Sequence, residues 1–431
     1  MLENDGRGDE PVQMTISDEA HETRGVQKAR AARLRLYLGG QASWYFSLGI
    51  QFVLFPYLAA QVLHESAERV GIAQMMLMAP ALIFILIGGT VADHADVRRI
   101  LIRVHGLAAV PPLVLAIVLA MGFLSYNVLI IYALAMGTLS AFAMPARDSA
   151  LTRIAETNIQ QAVTLAMGAQ MLSQLVGILI VAFATFVGAP ALLLLQMGML
   201  VTGGLMTQRL SPLPPAHSGD GTSRMRQIGE GISAALENKI VFTLICLNFA
   251  VGLFYVGTIM VALPLMVRDV YHSTDAEFPA RFALVNFGFW GGTIMSALLL
   301  LKVGHIERRG RVMMCALASG LVVLVSLSIP MPFWLLCGLC FIWGLGAGTT
   351  MTMGRTIVQL AARASHRARV LALYQLGFSG GAPIGSATMG FIIGGLGIHL
   401  AVLVPATVMV IVMGLLSFSP IWAYRANEAV Q

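Results

Sequence analysis

The chain alternates long apolar runs with short polar breaks, and the length of the runs decides what they are. Twelve of them cover, to within several residues, 36–62, 69–92, 100–122, 126–144, 159–187, 190–208, 240–267, 281–302, 312–330, 333–353, 369–395 and 397–420. Each is near the roughly 20 residues that a helix needs to cross about 30 Å of hydrocarbon, so twelve membrane helices are predicted. Within several runs the polar residues recur three, four and seven apart, which gathers them on one face of a helix.

Composition agrees with that reading. Of 431 residues, 57% are apolar and 11% charged, against about 25% charged in ordinary soluble domains, so the bilayer is the solvent. Residues 1–35 hold seven acids and six bases with no apolar core of signal-peptide length, and a disordered cytoplasmic tail is predicted there. Cys246, Cys315, Cys337 and Cys340 all fall inside predicted spans, without metal-ligand or disulfide spacing. No cofactor is expected.

Charge sets the orientation. With the N-terminus inside, 24 of the 27 Lys and Arg residues fall on the cytoplasmic side, and Arg69, Arg268 and Arg281 are the exceptions. This positive-inside bias predicts an even number of spans and cytoplasmic termini. The net charge of +6 suits an anionic leaflet and calls for no nucleic acid.

The longest polar break within the membrane region, 209–239, contains SPLPPAHSGDGTS and divides the spans six and six. The expected organisation is a six-helix bundle at 36–208, a cytoplasmic linker at 209–239 with an amphipathic helix from Met225 to Asn238, a second bundle at 240–420 and a tail at 421–431. The halves share punctuation: Arg147 and Arg355, and likewise Gly177 and Gly385, are 208 residues apart. That concerted spacing points to duplication.

At the end of the second span the chain reads GGTVADHADVRRI from Gly88 to Ile100. Gly89 and Asp93 keep a Gly-x-x-x-Asp spacing, which resembles the cytoplasmic-loop signature of the major facilitator superfamily. Asp96 with the basic pair Arg98 and Arg99 is similar to the branch that contains enterobactin and other siderophore exporters. PARDSAL (Pro145 to Leu151), LPLMVRDVY (Leu263 to Tyr271) and RARVLALYQLGFSGGAPIG (Arg367 to Gly385) resemble the same branch. The resemblance implies an all-α integral membrane fold of twelve transmembrane helices in two pseudo-symmetric six-helix bundles, working by alternating access in a bacterial inner membrane. It also implies a cytoplasmic gate in which Asp93, at the end of helix 2, faces Arg367 and Arg369 at the start of helix 11, with Gly89, Asp96, Arg98, Arg99, Arg147 and Arg355 around it. Two features depart from the family pattern. Helix 5 carries Val176, Gly177 and Ile178 where the antiporter signature has a Gly-Pro pair, and Arg147 lies past the predicted end of helix 4, so no embedded arginine is expected.

None of the 21 Asp and Glu residues falls in the middle of a predicted span. Intramembrane carboxylates are the usual proton carriers because their charge is costly in hydrocarbon, so a neutral pocket of amides, hydroxyls and rings is expected. Candidate lining residues are Trp44 and Gln51 on helix 1, Gln170 and Gln174 on helix 5, and Asn248 and Tyr255 on helix 7. Helix 8 adds Asn286 and Trp290, and helix 11 adds Gln375 and Ser379. The bland alternative is that these groups join helices within a bundle by hydrogen bonds.

The leading expectation is a monomeric secondary transporter exporting a small amphipathic compound such as a siderophore, drug or lipid-like metabolite, with protons as the candidate coupling ion. An importer or uniporter of a neutral solute and a non-transporting sensor are the alternatives. No span assembles nucleophile, base and oxyanion donors, so no enzyme is expected.

Overall fold

The computed structural model describes residues 16–155, 159–214, 233, 235–304, 306–363 and 366–423; the side chains of 16–27, 29, 85–90, 92–94, 368, 420 and 423 are not described. Twelve helices long and apolar enough to span a membrane follow one another: α1 (Arg30–Val62), α2 (Ala67–Phe84), α3 (Val97–Ala120), α4 (Tyr126–Ala155), α5 (Ile159–Val187), α6 (Ala189–Gln208), α7 (Lys239–Val270), α8 (Phe278–Val303), α9 (Arg309–Ser326), α10 (Phe333–Ala361), α11 (Arg369–Leu396) and α12 (Ile398–Ser417). The number and order of predicted spans are those observed.

Short polar residues start the helices, because an N-terminal turn leaves backbone N–H groups that a side-chain oxygen can accept. Asp96 Oδ1 accepts from Arg98 N at 3.0 Å to open α3, and Asn238 Oδ1 accepts from Ile240 N and Val241 N at 3.0 and 3.2 Å to open α7. Thr274 and Glu277 cap one another reciprocally before α8. Those hydrogen bonds, with Arg281 nearby, hold the Glu277 carboxyl below its usual range.

Residues 16–35, expected as a disordered tail, are corrected in part: one helix runs from Ile16 to Pro56. The stretch QKARAARLRL is made of strong helix formers that continue without a break into the apolar span. Residues 1–15 and most of the expected amphipathic segment from Met225 lie outside the described residues.

The duplication is geometric. A Cβ on Gly49 of α1 would overlap the carbonyl oxygen of Gln174 and crowd Gly177 of α5, and one on Gly257 of α7 would overlap the carbonyl of Gly385 of α11. Both pairs stand 208 residues apart. α1 ends in a π-helical segment, Tyr57–Val62, and α7 in another, Met266–Val270. His64 and His272, again 208 apart, both leave these segments with positive φ, 49° and 44°.

Within each half the close pairs are equivalent, α1 with α5 and α2 with α4 in the first, α7 with α11 and α8 with α10 in the second. The halves meet along α2 and α11 and along α5 and α8. With twelve spans, both ends of the helical region lie on one face, here the termini face; the loops after α1 and α7 lie on the opposite, loop face.

Candidate transport site

The two halves are stitched together at the loop face. Arg268, near the end of α7, reaches across to the end of α1, where its NH1 donates to the carbonyls of Ala60 and Glu65, both at 2.8 Å. Its other edge pairs with Asp269 through Nε at 2.6 Å and NH2 at 3.0 Å. A cation is well placed there, since the last carbonyls of a helix carry partial negative charge. Gln61 Nε2 donates to Ser273 O at 3.1 Å and to Asp275 Oδ1 at 2.8 Å, and the Thr185 hydroxyl donates to the Ala276 carbonyl. The bonds of Arg268 to Ala60 and Glu65, of Gln61 to Ser273 and Asp275, and of Thr185 to Ala276 all join the halves at this face. Tyr57 packs on Phe278 beside it, with ring centroids 5.7 Å apart.

Further into the membrane, an aromatic contact joins α1 to α8. Phe52 of α1 meets Trp290 of α8 edge-on, with centroids 5.8 Å apart. From Trp290 a chain of rings runs through Phe289 and Trp343 to Tyr255 inside the second half. The Trp290 indole Nε1 is buried without a hydrogen-bond partner.

The remaining candidate lining residues divide. Gln51 is corrected from cavity wall to bundle interior: its Oε1 lies 3.3 Å from both the Tyr132 hydroxyl and Gln196 Nε2, a buried network joining α1, α4 and α6. Tyr255 donates to Leu317 O of α9 at 3.1 Å and Asn248 donates to Tyr374 O of α11 at 2.7 Å. Asn286 donates to Phe282 O of its own helix at 2.9 Å. These four join helices of one half or cap their own backbone. The spacing that placed them on a stripe is silent as to which neighbour that face meets. Gln174 is buried against α1, Gln170 and Ser379 are half-buried and Gln375 is exposed.

Among the gate residues, the side chains of Gly89 and Asp93 lie outside those described, although their backbone completes the helix Ala67–His94. Asp96 is a structural tie: besides capping α3, its Oδ1 accepts from Leu213 N at 3.0 Å. Arg98 donates to Gln208 O at 2.6 Å, and Arg99 sits 3.6 Å from Asp96. The start of the linker is thus pinned to the first half. Arg355 and Arg367 are exposed and Arg369 half-buried.

Arg147 overturns an expectation. It lies inside α4, not beyond it, and its side chain is 6% exposed. The helix continues to Ala155 because Ala146, Ala150 and Leu151 form an apolar stripe at helical spacing that packs on Tyr37, Val97 and Leu101. The guanidinium lies between two rings of α1, 4.7 Å from the Trp44 centroid and 4.8 Å from that of Tyr45. It makes no hydrogen bond or ion pair among the described residues, and its NH1 and the Trp44 Nε1 are both buried without partners. Two ring faces return at most about 2 kcal/mol or somewhat more each, whereas burying an unpaired ion costs several kcal/mol. The two rings therefore offset only part of the cost of burying the guanidinium. Trp44, expected to line a neutral cavity, is one wall of this clamp, and it also packs edge-on against His105 at 5.2 Å.

Sequence reasoning missed Phe52, Tyr45, Gln61, Tyr132, Gln196 and the latch role of Arg268. Arg268 alone carried a signal, as one of three basic residues on the sparsely charged side.

A family model described as transmembrane secretion effector matches residues 47–430. Solved structures share the fold at low identity. The nucleoside transporter NupG superposes with a TM-score of 0.72 at 15% identity, covering 91% of this chain and 99% of that one. A transporter of the POT family, in complex with a thioalcohol-conjugated peptide, gives 0.69 at 13% identity, covering 92% and 96%. A bacterial homologue of the human lysosomal transporter Spinster, inward-facing and unoccupied, gives 0.63 at 14%, covering 90% and 96%. No curated protein matches the sequence.

Proposed function

We propose, since this chain belongs to the transmembrane secretion effector family and is a membrane transporter of the major facilitator type, that it exports a small amphipathic compound from the cytoplasm by alternating access. A siderophore, a drug or a lipid-like metabolite fits that description. The observation that carries alternating access is the latch that joins the halves at the loop face. Arg268, Gln61 and Thr185 bridge the halves at the loop face, while α4 and α10 are without extensive contact. A latch at the loop face belongs to a state that loads from the termini face, and the family description, transmembrane secretion effector, favours export over import.

In this proposal the protein lies in a bacterial inner membrane as a monomer with both termini in the cytoplasm, and protons drive the cycle. The bundles at 36–208 and 240–420 rock about the Phe52–Trp290 contact, with the linker at 209–239 between them. The substrate path is lined by Phe52, Gln170, Gln174, Trp290, Gln375 and Ser379. Asp93, Arg367 and Arg369 close the cytoplasmic side in the opposite state.

The test is transport in membrane vesicles. Inverted vesicles energised by a proton gradient are expected to accumulate an amphipathic fluorescent dye, and Trp290→Ala is expected to slow this at least several-fold at equal protein level. Accumulation by right-side-out vesicles instead would establish import, and no flux in either orientation would refute transport of this class.

A further inference from the structure

We infer that the clamp formed by Trp44, Tyr45 and Arg147 is a binding site for the carboxylate or phosphate of an amphipathic organic anion. The inference rests on the transport reading above and narrows its substrate class. The expected pocket was neutral, because no basic residue was expected inside a span. Arg147 is buried within the α4 helix, and its NH1 meets no hydrogen-bond partner among the described residues. Asp148, its neighbour in sequence, acts on it electrostatically but makes no hydrogen bond to the guanidinium, which leaves NH1 free to donate to a ligand's oxygen.

Position links the clamp to the path between the halves. Residues 45, 48 and 52 lie three, four and seven apart and share one face of α1. Phe52 on that face touches Trp290 of the other half, so the face looks into the seam between the bundles. Tyr45 lies two turns from Phe52 toward the termini face, half-buried, with Arg147 directly behind it. Rotation of that one ring exposes a guanidinium edge to a ligand entering from the open side. Trp44 offers an indole N–H and an aromatic floor beside it, so the site suits an anion carried on a flat apolar body, held by charge-assisted hydrogen bonds and stacking.

The repeat provides an internal control. Arg355 occupies the equivalent place in the second half, but 208 positions after Trp44 and Tyr45 stand Gly252 and Leu253. With no rings to clamp it, Arg355 is exposed. The fold therefore does not require this clamp, which distinguishes the first half from the second.

The experiment measures thermal unfolding of the full chain in phosphatidylcholine nanodiscs with three probes on one ring system: 2-naphthoate, its neutral near-isostere 2-naphthamide, and 2-naphthyl phosphate. The two acids are expected to raise the midpoint and the amide to leave it unchanged. Arg147→Gln is expected to weaken the acids by about 10- to 100-fold in apparent affinity, and Arg147→Lys to retain part of it. The acid-to-amide comparison needs no variant, so loss of folding in Arg147→Gln leaves the inference testable. Equal shifts from acid and amide, no shift from either acid, or undiminished acid binding by Arg147→Gln would each overturn the anion site while leaving vesicle transport to be judged separately. The same titration in phosphatidylglycerol nanodiscs separates solute from lipid: an undiminished shift supports a soluble anion, and its abolition would assign the clamp to an anionic headgroup instead.

Discussion

Removing the Arg268 side chain should open the loop face. In the structure its NH1 makes two hydrogen bonds across the seam, to Ala60 O and Glu65 O, each 2.8 Å long, and Asp269 holds the other edge of the guanidinium in place. A hydrogen bond to a charged group contributes about 1.5–3 kcal/mol. The side chain keeps 18% of its exposure and water can replace part of what is lost, so about 1.5–3 kcal/mol for the pair together is a reasonable net figure. That shifts a two-state ratio by roughly 10- to 150-fold toward the form open at the loop face. Arg268→Lys keeps the charge but not the fork and should fall between. The assay is a distance measurement by pulsed electron spin resonance, with labels at Asn127→Cys in the first half and Ile329→Cys in the second, after replacing Cys246, Cys315, Cys337 and Cys340. Both labelled positions are exposed at the loop face. In Arg268→Ala a longer-distance population should appear or grow at the expense of the short one. If the distribution is unchanged, the latch contributes nothing to gating and the argument fails.

Gly49→Val should destabilise the first half severely, by more than about 3 kcal/mol, because its Cβ would overlap the carbonyl of Gln174 in the neighbouring helix; Gly198→Ala, where a Cβ meets nothing within 4 Å, should be neutral or slightly stabilising, and equal unfolding midpoints for the two would contradict the packing described. Asp96→Ala removes both the α3 cap and the tie to Leu213 N, an expected cost of about 1–2 kcal/mol together with faster proteolysis of the linker in limited trypsin digestion, and an unaltered digestion rate would show that the tie is dispensable.

The sequence alone determined what depends on local composition and period. Twelve apolar runs of spanning length had no other solvent than lipid, and all twelve are observed as helices. The spacing of 208 residues identified in Arg147 and Arg355, and in Gly177 and Gly385, reappears as equivalent contacts because duplicated helices pack in the same way. The end of α4 was misplaced for a related reason. An apolar window stops at the first charge, whereas the helix continues while its buried face does, and Ala146, Ala150 and Leu151 extend that face past Arg147.

Only the tertiary structure decided which neighbour each polar stripe meets. Gln51 and Trp290 look alike in sequence, each a polar-capable group one face around from apolar residues. Gln51 turned to Tyr132 and Gln196 within its half, and Trp290 turned to Phe52 of the other. Helical periodicity fixes the angle of a side chain about its own axis and contains nothing about the helix on the far side of the contact. The clamp on Arg147 has the same origin. Its rings lie about 100 residues earlier in the chain, and only the packing of α4 on α1 brings the guanidinium between them.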